Sequence, residues 1–342
     1  MLIVHAGMHK TGSSSIQETF FGLRRNGVSY FNPGRKNHGV AFEALTNPDA
    51  ENNFAFRQLG ISGDRLTDMK RETYEKFDAF LRELSGIGIF SAEAISLPQD
   101  DGRIIAFRDI LAQFDLPLRV VMYLRSPHSF MESAFQQRVK AGGLGRIEPL
   151  GLWPQYRKRV ERLDQAFGQD RVELRMFDPS RFPQGDVVRD FAELVGVTLQ
   201  DHEIRRVNEG LSAEAVALIY FQRKFGGGLE TEGPGRPARN ERWVQALNGI
   251  GRRKLGLSDN LLAPAFERHR ADLDWIEGRI GSKLVDPASK DRVVIDSEGD
   301  LLDLAADNLK HVQRILAERL RETEFSDQAP AVGMLELLRT LA

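Results

Sequence analysis

The sequence predicts an α/β protein: an open, doubly wound parallel sheet flanked by helices, with a helical C-terminal region. Three observations carry this expectation. Short apolar runs alternate with segments whose apolar residues recur at helical spacing. The run Leu118–Leu124 holds Val120, Val121, Met122 and Tyr123 in succession, and a strand apolar on both faces belongs in a parallel sheet covered by helices. A loop rich in Gly, Ser and Thr separates the first apolar run from the first helix, where open α/β sheets gather ligands.

The elements follow in order. Leu2–Ala6 reads as a strand ending at Gly7, and residues 14 to 25 as the first helix. Gly27–Phe31 reads as a second strand and Asn32–Gly39 as a polar loop broken by Pro33 and Gly34. Leu66, Met69, Phe77, Phe80, Leu81 and Leu84 repeat at helical spacing across residues 65 to 84. Ile87–Phe90 is a buried-type strand followed by Ser91-Ala92-Glu93. Asp101–Phe114 is helical, Leu118–Leu124 is the strongest strand, and Pro127–Lys140 and Trp153–Phe167 are helices. Val172–Met176 is a strand and Asp186–Val195 a helix. Beyond about residue 205 the alternation stops: Leu211–Lys224 and Leu301–Arg321 read as helices and Gly226–Pro237 as a mobile loop. The expected organisation is a core over residues 1–205 and a helical region over 206–342 that covers the core and shapes a second substrate's pocket.

Composition narrows the function. The 342 residues are 41% hydrophobic, enough for one large core. A formal net charge of −2 gives no general affinity for nucleic acid, which needs a basic surface to release counterions. The absence of cysteine excludes disulfides, thiolate metal sites and a cysteine nucleophile, and fits a reducing compartment. The first residues lack the basic and long apolar regions of a signal peptide, and no apolar run has the length of a membrane span. The expected location is the cytoplasm, at most peripheral to a membrane.

The segment Gly7-Met8-His9-Lys10-Thr11-Gly12-Ser13-Ser14-Ser15 is built as an anion cradle. Glycines let the backbone approach a ligand, and the free N–H groups of the helix start point at it. Lys10 adds charge, and Thr11, Ser13 and Ser14 add hydroxyl donors. The loop is not the G-x-x-x-x-G-K-[ST] loop that holds metal-bound ATP: Ser13 stands where its lysine would be, and the lysine lies upstream at position 10. A Gly/Ser turn with a solvated lysine is the plainer alternative. The pattern G-x-x-K-[TS]-G-[TS]-[TS] resembles the 5′-phosphosulfate loop of sulfotransferases that use PAPS (3′-phosphoadenosine 5′-phosphosulfate), whose P-loop-like fold is related to the nucleotide kinases.

A second signal is Arg125-Ser126-Pro127 with Ser133. Arg125 ends the strongest strand, Ser126 suits an N-cap, and Pro127 fits the first helical turn. Ser133 lies about two turns on from Ser126 and returns to nearly the same face. This resembles the R-x-P-x-x-x-x-x-S motif of the same family, which implies that Arg125 and Ser133 hold the 3′-phosphate. A capped structural helix with a surface arginine is the alternative. The resemblance continues less specifically through Tyr156–Val197 and Asn208-Glu209-Gly210-Leu211-Ser212, covering about residues 1 to 215. An R-K-G element of the animal cytosolic enzymes is missing, and Arg236, Arg239 and Arg242 are candidates to replace it.

The resemblance implies in-line transfer of a sulfuryl group to a hydroxyl or amine, releasing adenosine 3′,5′-bisphosphate without a metal. Lys10 and the loop N–H groups would stabilise the leaving oxygen. A base must take the acceptor's proton. Glu93, at the end of its strand, and His38, in the polar loop, are the candidates; a capping or ion-pairing carboxylate and an exposed histidine are their plainer readings. His9 is expected to touch the nucleotide or face the acceptor. His128 and Ser129 are expected to be structural, and Phe130, Phe135, Trp153 and Tyr156 to lie in the core. The acceptor is a carbohydrate, a lipid head group or a small molecule, and Arg252-Arg253-Lys254 could meet an acidic glycan or a membrane surface. An ATP- and Mg²⁺-dependent small-molecule kinase of the same fold, or a non-catalytic nucleotide-binding relative, are the competing readings.

Overall fold

The computed structural model describes residues 1–8, 10–97, 101–142, 146–207, 210–226, 236–286 and 291–322. Strand β1 (Leu2–His5) leads into helix α1 (Ser13–Phe20). The first helix is shorter than its sequence pattern because the chain reverses at Gly22, whose φ is 77°. Residues Arg24–Arg25 then form β2, which pairs antiparallel with β3 (Val28–Tyr30). Asn26 and Gly27, with φ of 52° and 74°, make the two-residue turn that such a hairpin requires.

Two helices that the sequence pattern does not announce follow, α2 (Gly39–Thr46) and α3 (Phe54–Gln58), and then α4 (Gly63–Arg82). Next come β4 (Ile87–Ser91), α5 (Asp101–Leu111), β5 (Leu118–Leu124), α6 (Pro127–Ala141), α7 (Tyr156–Phe167), β6 (Val172–Met176) and α8 (Val187–Leu194). The later elements are α9 (Ala213–Phe225), α10 (Arg236–Leu247), β7 (Lys254–Leu257), α11 (Asp259–Arg268), α12 (Arg270–Ile280), β8 (Arg292–Ile295), α13 (Glu298–Asp307) and α14 (Leu309–Glu322). The helix expected over residues 301–321 is thus two, divided at Asn308. Of the Gly/Pro-rich loop expected at 226–237, residues 227–235 lie outside the described residues, and Arg236 and Pro237 open α10.

The six-stranded sheet runs β2-β3-β4-β1-β5-β6, and every pairing except β2 with β3 is parallel. The expected open, mostly parallel, helix-flanked sheet is therefore present. Alternate side chains of each strand feed two cores. On one face Ile3, Ile89, Val121 and Tyr123 meet Ile16 and Phe20 of α1 and Val188 and Phe191 of α8. On the other, Phe90 meets Phe77 and Phe107 with ring centroids 5.3 and 5.0 Å apart.

Strand β1 continues to one side of the sheet, through β3 and β4, while β5 continues to the other, toward β6. The crossing of directions between β1 and β5 creates a crevice beyond their carboxyl ends, the place where open α/β sheets bind ligands. The phosphate loop leaves β1 and Arg125 leaves β5 at this point.

Two compact units are distinguishable among the described residues. The first comprises Met1–Phe135, Glu148–Gly210 and Asp259–Lys290, and the second the remainder. This division runs differently from a single cut after residue 205, since 259–290 groups with the sheet and 136–147 does not. Within the second unit α9 packs against α13, and β7 and β8 form a parallel pair, so this unit is not wholly helical.

Candidate functional site

The loop after β1 is held in a specific shape by its own atoms. Thr11 Oγ1 donates to the Met8 carbonyl at 2.6 Å. Lys10 and Gly12 have φ of 69° and 78°; Gly12 tolerates that region at no steric cost, whereas Lys10 does not. Glycine is also forced by space. A Cβ on Gly7 would stand 2.3 Å from Ser13 Oγ, and one on Gly12 2.5 Å from Val187 Cγ1. Ser13 Oγ is buried and has no hydrogen-bond partner among the described residues. A buried hydroxyl left open at the foot of a cradle suits an anionic ligand, because an unsatisfied buried polar group is costly. Ser14 is half-buried beside it, and Ser15 Oγ accepts from Val207 N at 3.1 Å. His9 lies outside the described residues.

Arg125 reaches back to this loop. Its Nη1 donates to the Lys10 carbonyl at 2.8 Å, its Nε donates to Ser129 Oγ at 2.9 Å, and its guanidinium lies 5.7 Å from the Phe177 ring centroid. The Tyr156 hydroxyl donates to the Arg125 carbonyl. Ser129 was expected to be structural, yet it is the helix serine hydrogen-bonded to the guanidinium. Ser133 is half-buried one turn farther along α6. Arg125 and Ser129 are four residues apart, so a helix starting at Pro127 brings them together; that spacing was the signal in the sequence.

Glu93 opens a 3-10 turn, Glu93–Ser96, just beyond β4. Its Cγ lies 3.2 Å from where a Cβ on Gly7 would be, so the carboxylate's stem touches the phosphate loop. Ser96 Oγ ties the turn to that loop by donating to the Gly7 carbonyl at 2.8 Å. Arg159, 7% exposed, donates to the carbonyls of Ser96 at 2.8 Å and Pro154 at 2.6 Å, and Arg162 donates to the Leu97 carbonyl. Burial, with Arg162 nearby, lowers the Arg159 pKa to about 10, so the group remains a cation at neutral pH. No local pattern marks this clamp, because a buried arginine looks like any surface one until its carbonyl partners are in place.

His38 does not join the site. It is fully buried, and its ring sits 4.5 Å from that of Tyr30 and 4.9 Å from that of Phe90. Its Nδ1 accepts from Ser91 N at 2.9 Å, and its own N donates to Ser91 O at 2.9 Å. Burial lowers its pKa to about 3. An enclosed and weakly basic imidazole is not placed to take a proton from an acceptor, so the base expected from the sequence reduces to Glu93. A histidine that the sequence did not single out, His5, is also fully buried. Its Nδ1 is 2.8 Å from Ser91 Oγ, which also accepts from Gln17 Nε2 at 3.2 Å. Burial, opposed by the nearby Glu93 charge, brings His5 to about 4.

The remaining candidates fall elsewhere. The side chains of Arg236 and Arg239 lie outside the described residues, and Arg242 is exposed on α10. Within the second unit Arg253 pairs with Glu214 at 2.9 Å, so the 252–254 run is partly structural. Asn208 and Glu209 lie outside the described residues, while Leu211 is buried and Ser212 caps α9. Among the described residues no group of three or more His, Cys, Asp or Glu is arranged to hold a metal. Nor is any described helix long and apolar enough to cross a membrane. A cavity of about 550 Å³ lies between the β2–β3 hairpin and the end of α4; neither loop lines it, and the chemistry-bearing groups decide the site.

No family model matches the chain. A solved sulfotransferase from Alicyclobacillus acidocaldarius is similar at 19% identity and a TM-score of 0.37, covering 65% of this chain and 91% of that one. The sulfotransferase domain from the curacin biosynthetic pathway is similar at 14% identity and a TM-score of 0.33, covering 61% and 77%. An uncharacterized protein of Archaeoglobus fulgidus is 24% identical over 106 residues, a match spanning 31% of this chain and 30% of that protein. At these levels none of the likenesses carries the functional argument, which rests on the two loops.

Proposed function

We propose that the protein is a sulfotransferase that moves a sulfuryl group from PAPS to a hydroxyl or amine acceptor. The observation that carries the reading is the 2.8 Å hydrogen bond from Arg125 Nη1 to the Lys10 carbonyl. It joins the two anion-binding motifs at the crevice between β1 and β5, so that one ligand with two anionic ends can span both.

In this reading the loop from Gly7 to Ser14, with Lys10 and the open Ser13 hydroxyl, holds the 5′-phosphosulfate. Arg125, with Ser129 and Ser133 on the following helix, holds the 3′-phosphate, for which a guanidinium is well suited. Glu93 takes the proton as the acceptor oxygen or nitrogen bonds to sulfur. The bond from sulfur to the bridging oxygen breaks, and its electron pair stays on that oxygen, which leaves as part of adenosine 3′,5′-bisphosphate. Lys10 and the N–H groups at the start of α1 meet the charge that grows there. Arg159, through Ser96, keeps the Glu93 turn seated against the loop. No step calls on a metal. A cytoplasmic setting suits the reading, and a chain without cysteine fits a reducing compartment.

Calorimetric titration with adenosine 3′,5′-bisphosphate in the absence of metal tests the donor site. The expected result is tight binding, weak binding of ATP with Mg²⁺, and loss of bisphosphate binding in Arg125→Ala. Preference for ATP with Mg²⁺ would instead support a kinase. Once an acceptor is found, Glu93→Gln should bind the bisphosphate normally and lose transfer.

A further inference from the structure

A guanidinium, two hydroxyls and a carboxylate form a directed chain at the head of α6. Ser126 Oγ donates to Asp286 Oδ1. Its one proton is then committed, so in the 2.8 Å pair with Ser129 Oγ the Ser129 hydroxyl must be the donor. Ser129 in turn accepts from Arg125 Nε. Every donor in this relay points away from the guanidinium and toward one terminal anion, the carboxylate of Asp286. The charge of Asp286 is also felt by the Tyr156 phenol, whose pKa burial raises and whose hydroxyl is fixed on the Arg125 carbonyl. Asp286 therefore sits beside the group that the preceding reading assigns to the 3′-phosphate.

The chain that leads to Asp286 is held in place. Beyond α12 the chain turns at Gly281 with φ of 68°. Glu277 then holds the turn, accepting from Leu284 N at 3.1 Å and Lys283 Nζ at 2.5 Å. Leu284 is buried, but Val285 next to it is 67% exposed. Asp286, half-buried, reaches Ser126 from the residue after exposed Val285. A half-buried side chain can exchange its partner without disturbing the core, because few buried contacts must be broken.

We infer that Asp286 is a displaceable internal anion: it closes the 3′-phosphate end of the nucleotide site and yields Ser126 and Ser129 to the phosphate when nucleotide enters. This rests on the sulfotransferase reading and adds regulation of that same site. A carboxylate and a phosphate cannot share one donor relay without repulsion, so Asp286 sets a threshold for nucleotides that carry a 3′-phosphate.

The test is calorimetry on the full chain with two probes, adenosine 3′,5′-bisphosphate and adenosine 5′-monophosphate. Wild type is compared with Asp286→Ala and Asp286→Asn; the asparagine keeps the shape and an acceptor oxygen should the alanine chain not fold. Both variants should bind the bisphosphate at least about tenfold more tightly, while the monophosphate, which lacks the competing group, changes less than about twofold. Bisphosphate binding only in the variants would be the extreme form of the same result. If wild type binds the bisphosphate and the variants bind it no more tightly, or if both nucleotides gain equally, the displaceable-anion inference fails and the sulfotransferase reading stands. If no form binds the bisphosphate, both fall.

Discussion

Arg125 shows how one residue joins several elements. Its Nε is committed to Ser129, its Nη1 to Lys10, and its carbonyl to Tyr156. The histidines show the opposite use of a titratable group. His38 and His5 are buried, with pKa values brought down to about 3 and about 4. A histidine whose folded pKa lies below its unfolded value of 6.5 stabilises fully only above that unfolded value. As pH falls below 6.5, the unfolded state binds protons that the folded state refuses, and stability declines toward the folded pKa. Each group should then cost about 1.4 kcal/mol per pH unit within that window. Denaturant titrations at pH 7, 6 and 5 should show this decline, and His5→Gln should make it shallower. An unchanged slope in His5→Gln would mean that His5 is not held neutral in the fold.

At the scale of elements, the site depends on how α7 begins. Its N-cap, Gln155, is in the left-handed region and gives no side-chain cap. Asp272, from α12, does the capping from a distance: it accepts from Tyr156 N at 2.9 Å, Arg157 N at 2.7 Å and Trp153 Nε1 at 2.6 Å. Helix α7 carries Tyr156, Arg159 and Arg162, which brace Arg125 and the Glu93 turn. Asp272→Ala leaves three donors without this acceptor and should destabilise the protein by about 1–3 kcal/mol. It should also weaken bisphosphate binding, whereas Asp272→Asn should recover part of both. A stability loss with unaltered binding would separate the cap from the site. The phosphate loop, by contrast, is local. Its glycines at 7 and 12 are demanded by Ser13 and Val187, and its pattern could be read before any contact was known.

For the whole molecule, strand order is the controlling fact. The parallel sequence β3-β4-β1-β5-β6 makes β1 and β5 neighbours although their residues are over a hundred positions apart, and so delivers both motifs to one crevice. A ligand bound there stabilises the folded chain by linkage. Adenosine 3′,5′-bisphosphate at one hundred times its dissociation constant should add about 2.7 kcal/mol to the unfolding free energy. Thermal unfolding with bisphosphate, adenosine 5′-monophosphate and ATP with Mg²⁺ in parallel should rank the bisphosphate first. An equal shift for all three would deny the site a role in recognising the 3′-phosphate.

The sequence by itself determined the alternation of strands and helices, the anion loop with its displaced lysine, the arginine at the end of β5, and Glu93 beyond β4. These are local facts, set by side-chain periodicity, glycine and proline. Tertiary structure alone decided that His38 faces the core, because a loop histidine is drawn inside only when Ser91 and the rings around it supply a pocket. It decided the early end of the first helix, where pairing with β3 outweighed helical pattern at Arg24 and Arg25. It also placed Ser129 on Arg125, Arg159 on the Glu93 turn, and Asp286 on Ser126, 160 residues away in the chain. Contacts of that range follow from the order in which strands join a sheet, which no local window of residues contains.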